Sequence, residues 1–469
     1  MSVGRISLSL ALAGALIACG GDGGSAPPTS GGGGGGTPTP SACSLADRKA
    51  WVLDQLQTYY LFPDLLDTSV NPNNYSTVQG YIDALVAPAR AVDRDRGFTY
   101  ITSIAEENAL INSGSSAGFG IRLGYDTVNG RVFILESFES APAFAQGFDR
   151  GTEILSVDGT PTATILANGG PSNFSAALGP SEPGVTRSFE IRQPGGAQST
   201  VSVTKADYQL DPISDRYGVQ VIDNGGTQVG YINLRTFIVE DAGPQLRTAI
   251  NGFRQQGITQ VILDFRYNGG GLVSVADLLG DLLARDNVGQ VFSQTLFRDS
   301  LSSNNSIERF ESQPEAITAT KIAFIGTSST ASASELVANS FIPYLGTNTA
   351  LVGSNTFGKP VGQIARDRSQ CDDRLRVLAF RTVNAAGRGD YYSGLASVFP
   401  QTCAAQDDFL DPLGSTDEAS TSESLNFLRG GACTAISASG TQRSLGGARV
   451  QPLQSATPTA AQYQIPGLF

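Results

Sequence analysis

The stretch Val261-Ile-Leu-Asp-Phe265, running into Arg266-Tyr-Asn-Gly-Gly-Gly271, decides the fold. An apolar run of strand length, closed by three glycines and followed by a helical pattern from Val273 to about Ala284, reads as a buried strand that turns tightly into a helix. The same alternation recurs outward from it. Val229–Leu234 reads as a strand, Ala242–Gln256 as a helix, Lys321–Ile325 as a strand, Ala333–Leu345 as a helix and Ala350–Gly353 as a strand. From Thr227 onward the chain therefore reads as an α/β domain.

Upstream, the texture is different. Residues 43–113 read as a small, mostly helical region, with helices over Leu45–Leu61 and Val78–Leu85 whose spaced apolar residues, among them Trp51, Val52, Leu56, Tyr59 and Tyr60, are packing residues. No chemistry is read there. Residues 114–207 break into short β-rich runs, Phe119–Leu123, Val132–Glu136, Glu153–Val157, Ser188–Arg192 and Thr200–Lys205, with a short helix at Ala141–Gly147 and a tight turn at Val157-Asp-Gly159. The α/β stretch is assigned to 208–400. The extension 401–469 holds one amphipathic helix within Asp407–Leu428, then loop and extended chain, and no role is read for it.

Composition narrows the function. The chain has 469 residues, 40% of them apolar and 16% charged, enough for two or three domains with proper cores. A formal charge of -12 opposes binding to nucleic acid or to anionic lipid surfaces. The absence of histidine removes the commonest zinc, copper and non-haem iron ligand sets, so neither a metal nor a cofactor is expected.

The first residues read as an export signal. Arg5 precedes the apolar run Ile6–Ala18, which is too short to cross a hydrocarbon layer of roughly 30 Å as a helix. Its end, Leu16-Ile-Ala-Cys19, resembles a bacterial lipobox, which implies cleavage within 1–19 and lipidation of Cys19. Gly20 after that cysteine implies the outer membrane by resemblance to bacterial sorting rules. Residues 20–42, with six consecutive glycines at 31–36, read as a tether of about 25 Å as a coil and roughly 75 Å when extended. The expected setting is the bacterial cell envelope, facing the periplasm, with membrane attachment through the lipid alone. Cys43, Cys371, Cys403 and Cys433 remain, an even number in an exported chain, and point to two disulfides. Three pairings are possible. Cys371 with Cys403 and Cys43 with Cys433 would brace the segment after the candidate site and tie the two ends.

Ser332, in Thr330-Ala-Ser-Ala-Ser-Glu335, and Lys359, in Thr356-Phe-Gly-Lys-Pro-Val-Gly-Gln363, are the candidate reactive pair. Ser332-Ala-Ser-Glu335 is also a capping box, and the helix N-terminus it starts offers free N–H groups where an oxyanion can form. Without histidine, the proton of a nucleophilic serine must go elsewhere, and a lysine is the obvious base. A lysine of ordinary pKa is neutral in only about one molecule in 2,500 at pH 7, so a lysine base has to be buried. Phe357 and Val361 are compatible with burial.

Several of these segments resemble known families. Gly118-Phe-Gly-Ile121, Ser140-Ala-Pro-Ala143 and Gly151-Thr-Glu-Ile-Leu-Ser-Val-Asp-Gly159 resemble bacterial PDZ domains, with Thr152 in place of the usual proline. The resemblance implies that Gly118, Phe119, Gly120 and Ile121 form a loop whose amides bind a peptide carboxylate beside a strand that pairs with the peptide. Leu263-Asp-Phe-Arg-Tyr-Asn-Gly-Gly270, Thr330–Glu335 and Thr356–Gln363, behind that PDZ-like segment, resemble the C-terminal processing, or tail-specific, proteases over about Cys43 to Gln363. That implies a crotonase-like (ββα) α/β catalytic domain, Ser332 as nucleophile, Lys359 as base and Gln363 as the group that orients the lysine. The amides of Ala333 and of Gly270 or Gly271 would form the oxyanion hole, and the substrate would be a protein or peptide. Asp264 and Arg266 would hold the glycine loop, and Glu335 would cap or pair locally. The serine-to-lysine interval of 27 residues is slightly long, and Pro360 replaces a glycine. The competing readings are a catalytically silent PDZ-containing binding or scaffold lipoprotein, and an amidase or esterase. No lysine follows Ser332 by three residues, as the β-lactam enzymes of the second class require.

Overall fold

The computed structural model describes residues 43–126, 128–437, 450–455 and 457–469. The signal with Cys19 and the tether 20–42 lie outside the described residues. Among those described, no helix is long and apolar enough to cross a membrane.

Val261, Ile262 and Leu263 are all wholly buried, as a strand covered on both faces must be. The strand Gln260–Asp264 lies inside a six-stranded sheet in the order Val219–Asp223, Gln228–Asn233, Gln260–Asp264, Lys321–Gly326, Thr349–Gly353 and Thr402–Ala404. The first pair is antiparallel and every later pair parallel. Alternate side chains divide between two cores. Val261 and Leu263 pack with Leu246, Leu279 and Leu336 of the helices Ala242–Gln255, Val273–Leu283 and Ala333–Leu345. Ile262 faces the other way, to Leu425, Phe427 and Leu428 of the helix Ala419–Leu428.

That last helix comes from the extension to which the sequence reading gives no role. Its three apolar side chains cover the second face of the sheet, a gross gain of about 5–8 kcal/mol. Thr402–Ala404 adds the sixth strand.

The short β runs upstream assemble into a seven-stranded antiparallel sheet in the order Val450–Pro452, Ile121–Asp126, Arg131–Ser137, Glu153–Val157, Thr186–Arg192 and Gln198–Thr204, with Thr160–Pro161 off Glu153–Val157. Its core includes Phe119, Ile121, Phe148 and Phe189. A further antiparallel sheet joins Tyr100–Ser103, Asp373–Asn384, Val291–Phe297 and Ser306–Arg309, with Val361–Arg368 also on Asp373–Asn384. The helices Leu45–Tyr59 and Val78–Leu85 pack on it through Val52, Leu56, Ile82 and Leu85 against Leu375, Val377 and Leu378.

Two disulfides form, with a pairing other than the bracing one: Cys43–Cys371 and Cys403–Cys433. Cys371 ends a turn between two strands of the antiparallel sheet, whereas Cys403 lies on the edge strand of the six-stranded sheet, so each meets the cysteine on its own layer. Cys43 reaches Cys371 because the first helix lies across that sheet, where Arg48 also pairs with Asp373 at 2.5 Å.

Candidate active site

Three neighbouring parallel strands end level with one another at Asp264, Ile325–Gly326 and Gly353, so the three sequence motifs that follow them emerge side by side. The carboxyl edge of a parallel sheet is where loops of different strands converge.

Ser332 is the N-cap of the helix Ala333–Leu345 and has φ 54°, ψ −115°. A side chain with a Cβ enters this region at a cost of about 1–3 kcal/mol, so neighbours must hold it there. Thr330 Oγ1 donates to the Phe265 carbonyl at 2.8 Å, the Ala331 N–H to the Asn268 carbonyl at 3.0 Å, and the Ser332 N–H to Glu335 Oε2 at 3.1 Å. Ser332 keeps partial exposure at the top of this turn.

Gly270 presses against it. A Cβ at Gly270 would stand 2.7 Å from Ser332 Cβ and 3.0 Å from the Ala333 nitrogen, so any larger residue would collide with the serine turn. Gly271 instead packs on the Phe237–Ile238 backbone, 2.2 Å from the Ile238 nitrogen by the same measure. The structure thus brings Gly270, Ser332 and Ala333 together. The Gly270 N–H donates to Asn268 Oδ1 at 2.9 Å, while Ala333, as the first helical residue, has no intrahelical acceptor.

Lys359 Nζ donates to Gln363 Oε1 at 2.9 Å and lies 4.8 Å from the centre of the Phe98 ring. Among the described residues no carboxylate lies within ion-pair distance of it, and no hydrogen bond joins it to Ser332 Oγ. The residue as a whole keeps some exposure while protein surrounds its ammonium. Burial pulls its pKa down to about 8, against the partial opposition of Asp95. Gln363 reaches it from a strand, Val361–Arg368, whose register slips between Gly362 and Gln363. Such a bulge re-aims a side chain.

Glu335 does more than cap locally. Wholly buried, it accepts from Ser332 N–H at 3.1 Å, Thr356 Oγ1 at 2.5 Å, Gly358 N–H at 2.8 Å and Lys359 N–H at 2.7 Å. Burial pushes its pKa up against these four donors. One carboxylate thus fastens the serine turn to the lysine loop.

The helical region contributes as well. Arg96 donates to the carbonyls of Phe357 and Gly358 and stacks 4.2 Å from the Phe357 ring, and the Phe98 carbonyl accepts from Gln363 Nε2. No sequence signal links Arg96 to a loop 261 residues away. Behind the glycine loop, Asp264, Arg266 and Glu418 form a wholly buried group with ion pairs of 2.6 Å on either side of the guanidinium. Burial alone would raise the Glu418 carboxyl, but Arg266 brings it to about 2.

The remaining loop, Gly118–Ile121, opens the seven-stranded sheet. Gly120 has φ 73° and its Cβ would meet Ala141 Cβ at 1.9 Å, so a bare backbone is required. Phe119 turns inward, edge-on to Phe189 at 5.3 Å, and takes its place in the core. The amides of Gly120 and Ile121 both point at one acceptor. From the next strand, Arg122 donates to the Tyr267 carbonyl of the glycine loop.

Residues 228–391, which carry all three motifs, match the sequence profile of peptidase family S41. That stretch is a peptidase S41 domain. The chain is similar to a carboxyl-terminal-processing protease of Picosynechococcus, 27% identical over 251 residues, which cover 53% of this chain and 55% of that protein. It is also similar to carboxy-terminal processing protease CtpA of Bacillus subtilis, 25% identical over 312 residues, which cover 66% and 61%. The chain spans about half the length of the first two curated relatives it matches. A crystal structure of an S41 protease candidate from Bacteroides fragilis superposes with TM-score 0.62 at 21% identity, covering 81% of this chain and 97% of that one. That likeness supports the mixed α/β fold of an S41 protein.

Proposed function

We propose that this S41-domain protein is a serine endopeptidase of the C-terminal processing type, which cleaves exported proteins or peptides with Ser332 as nucleophile and Lys359 as base. The observation that carries the reading is the lysine. Its amine lies on the same sheet edge as a partly exposed, strained serine, no carboxylate among the described residues pairs with it, and burial brings its pKa to about 8. At that value roughly one molecule in ten carries a neutral amine at pH 7.

Neutral Lys359, its N–H bonds oriented by Gln363, accepts the Ser332 proton through its lone pair as Ser332 Oγ attacks the peptide carbonyl. The Ala333 amide, with that of Gly270 once it leaves Asn268, stabilises the oxyanion. Lysine then protonates the leaving amine and later takes a proton from the water that releases the acyl group. The α/β portion is read as crotonase-like and the seven-stranded module as a PDZ-like domain, in which Gly118, Phe119, Gly120 and Ile121 form the peptide-binding loop. The N-terminal segment completes the proposal: lipidation at Cys19 and a place in the bacterial cell envelope, on the outer membrane facing the periplasm.

Ser332→Ala is expected to abolish cleavage of an unfolded protein substrate without altering the unfolding transition. Labelling of Ser332 by a fluorophosphonate probe is expected to disappear in Lys359→Ala. Cleavage by Ser332→Ala at the wild-type rate would overturn the assignment.

A further inference from the structure

The acceptor that the Gly120 and Ile121 amides share belongs to the chain itself. The Phe469 oxygen accepts from Gly120 at 2.9 Å and from Ile121 at 3.2 Å, and the Phe469 N–H returns a bond to the Ile121 carbonyl at 2.9 Å. Leu123 donates to the Gly467 carbonyl at 2.8 Å, and Arg122 faces Leu468 in an antiparallel bridge. The segment Pro466-Gly-Leu-Phe469 is thus an added strand. Its side chains alternate as a strand's must: Phe469, 3% exposed, enters the core of the seven-stranded module, and Leu468, also 3% exposed, enters a separate cluster with Phe138, Tyr208 and Ile238. Val450–Pro452 covers the rest of the same strand edge.

The segment also touches the catalytic side. A Cβ at Gly269 would stand 2.5 Å from the Gln464 carbonyl oxygen and 3.0 Å from Pro466 Cδ, so the chain leading into the groove lies on the glycine loop.

We propose that residues 465–469 are a resident intramolecular ligand of the Gly118–Ile121 groove, which an incoming peptide must displace, and that the groove takes extended peptides whose residue at the loop is a large aromatic preceded by an aliphatic one. This rests on reading Gly118–Ile121 as a peptide-binding loop. A tethered ligand acts at an effective concentration of about a millimolar. Against an intrinsic affinity on the order of 10 μM, it leaves the groove open about 1% of the time and weakens external binding about 100-fold.

The test uses full-length protein and a fluorescein-labelled peptide of sequence Tyr-Gln-Ile-Pro-Gly-Leu-Phe, read by fluorescence anisotropy. Phe469→Asp is expected to bind the peptide about 100-fold more tightly than wild type, and Phe469→Ala, which keeps the backbone pairing, by a smaller factor. The Gly120, Ile121 and Leu123 amides are expected to exchange slowly in wild type and faster in both variants, which reports occupancy without any peptide. Equal affinity for wild type and variants, with unprotected amides in wild type, overturns the resident ligand while the groove reading stands. No binding by variants that unfold as cooperatively as wild type overturns the groove reading and the resident ligand together.

Discussion

Replacing Lys359 by methionine is expected to stabilise the protein at neutral pH while removing activity. Burial depresses the lysine pKa from 10.5 to about 8, which at about 1.36 kcal/mol per pKa unit costs the folded state about 3 kcal/mol at pH 7. Methionine loses the hydrogen bond to Gln363 and the contact with the Phe98 ring, each worth about 0.5–1 kcal/mol, and keeps the packing of the stem. The net gain is about 1–2 kcal/mol. Below pH 8 the lysine is protonated in both folded and unfolded chains and the full cost is present. Between pH 8 and 10.5 only the unfolded chain retains the proton, so wild-type stability rises with pH and the advantage of the variant shrinks. Urea unfolding of both proteins with disulfides oxidised, at pH 7 and again near pH 10.5, reads this directly. The same pKa requires wild-type kcat/KM to rise about tenfold from pH 7 to a plateau above pH 9. A variant less stable than wild type at pH 7, a difference unchanged by pH, or a flat rate profile would each refute the desolvated base.

Two other carboxylates give independent expectations. Glu335→Gln can satisfy only one pair of the donors that Glu335 now serves, so it is expected to lose about 2–3 kcal/mol of stability and at least 100-fold in kcat; activity within twofold of wild type would mean that the serine turn and lysine loop need no common anchor. Glu418→Ala leaves Arg266 buried with Asp264 and the more distant Asp407, at 3.5 Å, and is expected to cost about 3–5 kcal/mol in denaturant unfolding, whereas a loss below about 1 kcal/mol would show the buried group to be dispensable.

Legibility followed the range of the physical signal. Gln260–Asp264 and the start of the helix at Ala333 were readable because a buried apolar run and a capping box are local patterns. The strand Asp373–Asn384 depends on distant partners. Leu375 and Val377 alternate with Arg374 and Arg376 as in a half-buried strand, but its partners Tyr100–Ser103 and Val291–Phe297 lie far away in sequence, so nothing local shows what it pairs with. Gln363 is the instructive case. The resemblance names it as the partner of Lys359, but the segment is a strand, and the contact is made by a register slip that no spacing rule contains. The pairing of Cys43 with Cys371 had the same obstacle, since it depends on which layer the first helix covers.

The strained serine shows why so much of the site had to be invisible from its own motif. Holding Ser332 at φ 54° costs about 1–3 kcal/mol, and the residues that offset it come from three strand ends rather than from Thr330–Glu335 alone. Phe265 and Asn268 anchor Thr330 and Ala331, and the Thr330 carbonyl accepts from the Phe357 N–H at 2.9 Å. At about 1 kcal/mol for each bond, these cross-loop contacts are of the size needed to hold the turn. The backbone geometry at Ser332 is therefore a property of the sheet edge. The parallel order of Gln260–Asp264, Lys321–Gly326 and Thr349–Gly353 creates it, and a fragment carrying the serine motif without its two neighbours would relax to an ordinary capped helix.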